Sequence, residues 1–296
     1  MGIPLALRTF NLVSTLNSGN KLMMNLCGAV QDPFILDDSF RAGFRDVNGK
    51  TLRSSVINPA EKTLILITAG QSQWTTLTPT SFTPTNPSKV DNFNVYDGAN
   101  YNCSGPLLGA EYIPANGDGN VSARVADQFV SSGIFDRVIV VPIALGGTEI
   151  AQWDTGILSG RIPVALRRLA SRGIVPASTG VTFALLWGQG ESDGLIGTTQ
   201  SAWENAFQNI VTTVLAAGFA GRIFVAKETW SAGVVSSTIQ AAQVAVVDSV
   251  TVFSGGDLDA LDASYRQSGN THFNDAGAAA AASLVYNAMR ASGAPY

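Results

Sequence analysis

Residues 63–74 read TLILITAGQSQW: six β-branched or aliphatic residues, then Ala69-Gly70, then a polar turn that contains Ser72. A short apolar run without alternation, ended by a glycine, is typical of a strand buried on both faces of a parallel sheet. Four more runs of this kind follow along the chain, at 137–143 (RVIVVPI), 181–187 (VTFALLW), 222–227 (RIFVAK) and 250–253 (VTVF).

Segments with apolar residues at helical spacing separate these runs. The predicted helices span 120–132, 162–172, 201–217, 236–248 and 276–291, with Asn120 and Asp275 as the caps of the first and the last. Because strand and helix alternate, the sequence predicts an α/β fold with a mostly parallel, doubly wound sheet. Such sheets bind ligands beyond the carboxyl ends of their strands.

Two parts of the chain depart from this alternation. Residues 1–60 are mixed in character and predict an N-terminal extension or small appended module, followed by the main domain at 61–296. Residues 75–119 form a long segment rich in Thr, Pro, Asn and Gly, with interspersed aromatic residues. Segments of this length inside a compact domain are usually functional or disordered, so we expect either a wall or lid over a site or a mobile surface excursion.

Composition narrows the class of protein. The net charge of −4 over 296 residues argues against a nucleic-acid partner. No apolar run approaches the about 18 residues that a membrane span needs. Arg8 interrupts the short apolar patch at the N-terminus, which makes it a poor signal peptide, and the cellular location stays open.

The cysteine and histidine counts limit the chemistry. Cys27 and Cys103 are too few for a disulfide framework and are either idle thiols or one bridge. His272 is the single histidine, which excludes a metal site built from several histidines, and Cys/His zinc spacing is absent. Any general acid–base catalysis by an imidazole therefore falls to His272.

Polar residues and glycines follow four of the predicted strands. Ser72 follows the first, Gly146-Gly147 the second, Gln189 and Glu191 the third, and His272 lies after the last, just ahead of the final helix. A hydroxyl nucleophile, backbone N–H groups at glycines, an amide donor and an imidazole are the groups that acyl transfer needs. Each of these residues alone could belong to an ordinary turn or helix cap. Their common position at the carboxyl edge of the sheet favours an active site.

The residues at these strand ends resemble the SGNH (GDSL-type) hydrolase superfamily, in its sialate O-acetylesterase-like and carbohydrate esterase family 6 branch. Four ordered blocks within residues 63–290 carry the resemblance: ITAGQSQ, VVPIALGGTEIAQW, LLWGQGESD and THFNDAG. The resemblance implies a three-layer α/β/α sandwich with a five-stranded parallel sheet. It also implies an acetylesterase that requires no metal or organic cofactor.

The roles that the resemblance implies are specific. Ser72 would attack the ester carbonyl, with His272 as the base. The Ser72 N–H, the Gly147 N–H and the Gln189 side-chain amide would hold the oxyanion. Most members carry Asp three residues before the histidine, where this chain has Gly269. The resemblance transfers the supporting role to Glu191, with Asp257, Asp259 and Asp262 as reserves and a Ser–His dyad as the remaining alternative.

The sequence leaves the substrate open. A carbohydrate ester is the first expectation, with Gln71, Trp153 and Arg266 as candidates for substrate contact. A second departure, Gln73 in place of the Asn that usually follows the serine, is expected to alter a local hydrogen bond. The alternatives are a non-catalytic binding or structural module that keeps the fold, for which Gly269 is the main support, and an acyltransferase or thioesterase that uses the same groups.

Overall fold

The computed structural model describes residues 47–110 and 117–294. Its eight strands are β1 (Leu52–Arg53), β2 (Thr63–Gly70), β3 (Val90–Asn94), β4 (Ala99–Asn102), β5 (Arg137–Pro142), β6 (Val181–Gly188), β7 (Arg222–Lys227) and β8 (Val252–Asp257). Its helices are α1 (Ser122–Ser131), α2 (Ile150–Asp154), α3 (Arg161–Ser171), α4 (Glu191–Ile196), α5 (Gln200–Ala216), α6 (Ser237–Ala245) and α7 (Asp275–Ala291). Short 3-10 helices span Ser72–Trp74 and Ala263–Tyr265.

All strands form one sheet in the order β1-β4-β3-β5-β2-β6-β7-β8. The six strands from β3 to β8 in this order run parallel, and β4 and β1 add antiparallel at one edge. The α/β prediction is confirmed, and all five predicted strands occur as neighbours in the parallel part. Three short strands outside these five runs, β1, β3 and β4, extend the sheet beyond them.

Two apolar cores cover the two faces of the sheet. Along β2, Ile65 and Ile67 face the core that contains α2, α3, α5 and α6, whereas Leu64 and Leu66 face the core that contains α1 and α7. This alternation is the period of two of a β-strand, and both faces are apolar because helices pack on each. The layers are therefore helix, sheet and helix, as expected.

Helix ends differ in detail from the prediction. Asn274, not Asp275, caps α7 through a hydrogen bond from the Gly277 N–H to its Oδ1. Asp275 is the first residue of that helix, and its carboxylate instead accepts from the backbone N–H and the hydroxyl of Thr80. Asn120 accepts from the Ala123 N–H beside the start of α1, close to its predicted role.

Part of the segment at 75–119 joins the sheet. Residues 90–102 form β3, a turn and β4, and an isolated bridge joins Thr78 to Gly119. Of the predicted N-terminal module, residues 1–46 lie outside the described residues, and β1 lies at the sheet edge. The proposed boundary at residue 60 stays a prediction. Cys103 is a buried free thiol, and Cys27 lies outside the described residues.

No helix within the described residues is long and apolar enough to cross a membrane.

Candidate active site

A cavity of about 280 Å³ lies at the carboxyl edge of the parallel strands. The residues that line it follow β2, β5, β6, β7 and β8: Gln71, Ser72, Leu77, Gly146, Gly147, Glu191, Ser192, Leu195, Ser231, Thr271 and His272. The expectation that the strand ends meet at one place therefore matches the structure. Leu77 is the lining residue that the long segment after β2 supplies.

Ser72 and His272 are in hydrogen-bond contact at this cavity. Their side-chain atoms Oγ and Nε2 are 3.0 Å apart, across 200 positions of sequence. Ser72 opens the 3-10 helix that directly follows β2, and His272 lies in the loop before α7. An imidazole nitrogen at this distance can accept the proton of the hydroxyl when the ring is neutral. Burial, and next the positive charge of Arg266, lowers the pKa of His272 below its usual value.

The loop that carries His272 is held from both sides by Gln73. The Gln73 amide donates from Nε2 to the Thr271 carbonyl at 2.8 Å, and its Oε1 accepts from the Phe273 N–H at 3.2 Å. These are the backbone groups directly before and after the histidine. The glutamine that follows the serine thus sets the position of His272 relative to Ser72, a contact that sequence reasoning did not identify.

Arg266 supports the same loop from beneath. Its guanidinium donates to the carbonyls of Thr271, Leu258 and Leu261 and lies 4.1 Å from the centre of the Phe273 ring. Because Arg266 is buried and its donors are taken by the backbone, the structure places it behind the cavity rather than among the lining residues. This position explains its effect on His272 and differs from the predicted contact with substrate.

Two backbone donors are free at the cavity. Within the described part of the chain, the N–H groups of Ser72 and Gly147 have no hydrogen-bond partner, and both residues line the cavity. Gly147 has a φ of +69°, a left-handed conformation that glycine adopts without steric cost. Paired backbone N–H groups at a reacting centre are suited to hold a developing negative charge.

Gln189 is placed differently from the expectation. Its Nε2 donates to the Thr148 carbonyl at 3.0 Å, to Gln71 Oε1 at 3.3 Å and to the Asp193 carboxylate, and its Oε1 accepts from Trp203. The side chain is fully buried and is not among the cavity residues. Its amide is therefore committed to holding the Thr148 loop and is not directed at an oxyanion.

Gln71 is the glutamine that does line the cavity. Its Oε1 accepts from Gln189 Nε2 and from the N–H groups of Gly190 and Ser192, at 3.3–3.4 Å. Its Nε2 makes no hydrogen bond to any described residue. The structure thus brings Gln71, one of the predicted substrate contacts, to the cavity with a donor available.

Trp153, another predicted substrate contact, lies in the core. It is buried, donates to the Thr148 hydroxyl at 3.0 Å and packs edge-on against Trp187. Its role is to support the loop that carries Gly147. An aromatic residue six positions after a glycine turn could not be distinguished from a core residue by sequence alone.

No described carboxylate is within hydrogen-bond distance of the His272 ring. Asp259 accepts from Thr229, Trp230 and Gln240, Asp262 caps the second 3-10 helix, and Asp257 pairs with Lys227. The three reserve residues therefore have other partners. Glu191 lines the cavity but makes no hydrogen bond to His272, so the predicted support of the imidazole by a carboxylate is not observed.

Glu191 instead belongs to a buried carboxyl pair with Glu228, a residue that sequence reasoning missed. Burial, and next the negative charge of Glu228, raises the pKa of Glu191 well above its usual value. Burial likewise raises the pKa of Glu228 to about 7, although Trp74 Nε1 donates to it at 2.7 Å. One shared proton keeps two adjacent buried carboxyls from both carrying charge. Glu228 follows β7, so the strand-end rule could have indicated it.

Gly188 shows why the end of β6 needs glycine. A Cβ at this position would lie 1.5 Å from Trp74 Nε1 and 2.4 Å from Glu228 Oε2. The glycine lets Trp74 pass beneath the Ser72 turn and reach Glu228.

A family model describes more than half of the chain. Residues 120–290 match the family "carbohydrate esterase, sialic acid-specific acetylesterase". The chain belongs to this family. It is a carboxylic ester hydrolase, and the predicted resemblance to the acetylesterase branch is confirmed. The matched residues include the three sequence blocks that contain Gly147, Gln189 and His272. The block that contains Ser72 lies before the start of the match.

One of the solved structures that match this esterase shows the same fold. A protein of Arabidopsis thaliana is 17% identical with a TM-score of 0.59, over 77% of this esterase and 98% of that chain. A carbohydrate esterase family 3 protein from Talaromyces cellulolyticus is 11% identical with a TM-score of 0.45. The match covers 77% of this esterase and 96% of that chain. A lipase/acylhydrolase from Enterococcus faecalis is 8% identical with a TM-score of 0.40. The match covers 78% of this esterase and 96% of that chain. No curated protein sequence matched this esterase.

Proposed function

We propose that this esterase removes an acetyl group from an O-acetylated alcohol through an acyl-enzyme on Ser72. The observation that carries the proposal is the 3.0 Å contact between Ser72 Oγ and His272 Nε2, beside the free N–H groups of Ser72 and Gly147. The family description supports acetyl as the acyl group.

The reaction proceeds in two halves. His272 Nε2 takes the hydroxyl proton as Ser72 Oγ bonds to the ester carbon. The oxyanion is held by the two backbone N–H groups, each of the kind worth about 2.7–4 kcal/mol to the transition state. The tetrahedral intermediate expels the alcohol, which receives the proton from His272. A water molecule then loses a proton to His272 and attacks the acetyl carbon. The second tetrahedral intermediate releases acetate, and His272 returns the proton to Ser72 Oγ.

The supporting groups differ from those of a Ser-His-Asp triad. We assign the positioning of His272 to Gln73, which binds the backbone on both sides of the ring, and to Arg266, which binds the Thr271 carbonyl. The catalytic unit is then a Ser–His dyad. The Gln71 amide, rather than that of Gln189, is the side-chain donor for the substrate at the cavity. A carbohydrate as the alcohol is supported only by the family description. The acyltransferase or thioesterase alternative stays a prediction.

The test is hydrolysis of p-nitrophenyl acetate by the wild type and by Ser72→Ala. Because the nucleophile is essential to both halves, we expect kcat to fall by about 10³-fold or more. Ser192→Ala, a serine on the same cavity whose hydroxyl has no role in the mechanism, is the matched control and should retain most of the activity. Equal loss in the two variants, or a fully active Ser72→Ala, would refute the assignment.

A further inference from the structure

Glu228 is a buried carboxyl that takes no part in the reaction steps. It follows β7, is 1% exposed and accepts from Trp74 Nε1 at 2.7 Å through its Oε2. Trp74 is itself fully buried and is the last residue of the short 3-10 helix that Ser72 opens. The turn that carries the nucleophile is therefore tied to Glu228 on the side that follows Ser72.

The side of the turn that precedes Ser72 leads to the same carboxyl. The Gln71 side chain accepts, through its Oε1, from the N–H groups of the residues directly before and after Glu191. The Glu191 carboxyl is hydrogen-bonded to Glu228 as well as to its own backbone N–H. Ser72 thus lies between two side chains, those of Gln71 and Trp74, that both lead to the carboxyl pair formed by Glu191 and Glu228.

The backbone of Glu228 is held in place on both sides. Its N–H donates to Gln243 Oε1 at 3.1 Å, and its carbonyl accepts from Gln243 Nε2 at 3.0 Å. A Cβ at Gly190 would lie 2.4 Å from the Glu228 carbonyl oxygen, and one at Gly188 would lie 2.4 Å from Glu228 Oε2. Because Glu228 is fixed in this way, a disturbance of the carboxyl pair is passed to the parts that the pair holds, which are α4 and the Ser72 turn.

The surroundings of the carboxyl pair favour one negative charge over two. Burial raises the pKa of Glu228 to about 7 and that of Glu191 well above its usual value. The positive charge of Arg266 favours the charged form of Glu228, and the negative charge of Asp259 opposes it. Asp259 itself accepts hydrogen bonds from the segment after β7 and from α6. The pair therefore keeps a proton at neutral pH, and the loss of that proton places two carboxylates side by side in a buried site.

We propose that Glu228 is a positioning residue for Ser72, and that the proton it shares with Glu191 holds the Ser72 turn and α4 in their active arrangement. When alkaline pH removes the last proton of the pair, Glu191 no longer donates to Glu228 and the two carboxylates repel each other. The Ser72 turn then loses the arrangement that places its hydroxyl against His272. The inference rests on the proposed function and adds an alkaline limit of activity to the acid limit that His272 sets.

The test is the pH dependence of kcat on p-nitrophenyl acetate, corrected for spontaneous hydrolysis, in the wild type and in Glu228→Gln. In the wild type we expect kcat to fall at least about tenfold at alkaline pH and to recover when the pH returns to neutral. A glutamine can accept from Trp74 and donate to Glu191 without carrying charge. Glu228→Gln should therefore stay within about threefold of the wild-type kcat at neutral pH and lose most of the alkaline fall.

The outcomes separate this inference from the proposed function. A wild-type kcat that stays constant at alkaline pH, or an alkaline fall that persists unchanged in Glu228→Gln, would overturn the role of the carboxyl pair. A wild type that does not hydrolyse p-nitrophenyl acetate at any pH would instead count against the proposed function.

Two further variants and a control test the contact with the Ser72 turn. Glu228→Ala leaves Trp74 Nε1 without its acceptor and should lower kcat by about 10–100-fold with little change in KM. Trp74→Phe removes the donor instead and should lower kcat in the same way. Glu204→Gln, on α5 and bound by Gln200 of the same helix, is the matched control and should keep the wild-type pH profile. A wild-type kcat in Glu228→Ala would contradict the proposal.

Infrared difference spectra between neutral and alkaline pH give a readout that does not depend on catalysis or on the alanine variant. The wild type should lose the band of a protonated carboxyl over the same pH range in which kcat falls. Glu228→Gln should lack this change, because without a second carboxylate beside it Glu191 ionises at lower pH. A carboxyl band that disappears while kcat stays constant would overturn the link between the carboxyl pair and Ser72.

Discussion

At the scale of single residues, the position of His272 depends on an amide rather than on an acid. Gln73 binds the backbone on both sides of the histidine and no described carboxylate reaches the ring. We therefore expect Gln73→Ala to lower kcat by about 10–100-fold with little change in KM, because a displacement of about 1 Å at a reacting group can cost about 100-fold. Gln73→Asn, one methylene shorter, should recover part of the loss.

The single histidine allows this effect to be separated from a loss of stability. His272 gives the only imidazole signals of the chain, so NMR titration reports its pKa directly. Loosening of the loop should expose the ring and raise that pKa toward its usual value, whereas a merely structural role would lower the melting temperature alone. Gln128→Ala, which removes an exposed contact to Ser283, is the control. A wild-type kcat in Gln73→Ala would exclude the positioning role.

The lowered pKa of His272 sets the acid limit of activity. Only the neutral ring accepts the Ser72 proton, and a lowered pKa keeps the ring neutral to more acidic pH. The acid midpoint of kcat/KM should therefore fall below about 6.5, the unperturbed value for histidine. The same shift makes the folded state bind this proton less readily than the unfolded chain, so its contribution to stability decreases as the pH falls below that value. A kinetic midpoint at 7 or above would contradict the assignment of His272 as the base.

Sequence reasoning identified the meeting of Ser72 and His272 but not the roles of their neighbours. Residues that follow parallel strands lie at the same edge of the sheet, and this placement depends only on the topology of the fold. Whether an amide such as Gln189 points to the cavity depends on partners far away in the chain, here Thr148, Asp193 and Trp203. Such partners leave no periodic signal.

At the scale of elements, Asp193 in α4 joins two strand ends. Its carboxylate accepts from the N–H of Ile150 at the start of α2, from Gln189 Nε2 and from the Thr198 hydroxyl. Removing it leaves buried donors without partners, so we expect Asp193→Ala to lower the free energy of unfolding by about 2–4 kcal/mol. It should also lower kcat, because the loop of Gly147 loses its support.

Denaturant unfolding and steady-state kinetics on one preparation measure both effects. Asp154→Ala, at the other end of α2 and with one long contact to Asn209, is the matched control and should change stability by about 0.5 kcal/mol or less. If the free energy of unfolding changed as little in Asp193→Ala as in the control, the proposed role of Asp193 in joining the two strand ends would be refuted.

The strands that were predicted and those that were missed differ in how their polar groups are satisfied. The five predicted strands are continuous apolar runs, the signal of burial between two helical layers. β3 reads VDNFN and is equally buried, but its polar side chains have specific partners: Asp91 pairs with Arg137, and Asn92 binds both backbone groups of Leu108. A polar strand stabilised by such long-range contacts cannot be recognised from its own sequence.

At the scale of the whole molecule, the parallel sheet positions the site and the edge strands enlarge the scaffold. The reacting groups come from the ends of β2 and β5 and from the loop after β8, so their geometry depends on the register of the entire sheet.

Labelling with a fluorophosphonate tests the Ser72 acyl-enzyme most directly, because the probe forms a stable covalent bond with an activated serine. We expect one label per chain, located on Ser72 by peptide mass spectrometry, with loss of esterase activity in proportion to labelling. His272→Ala should label far more slowly, because the hydroxyl has lost its base. An active enzyme that the probe leaves unlabelled, an inactivated enzyme with the label on another residue, or full activity with Ser72 labelled would contradict the account.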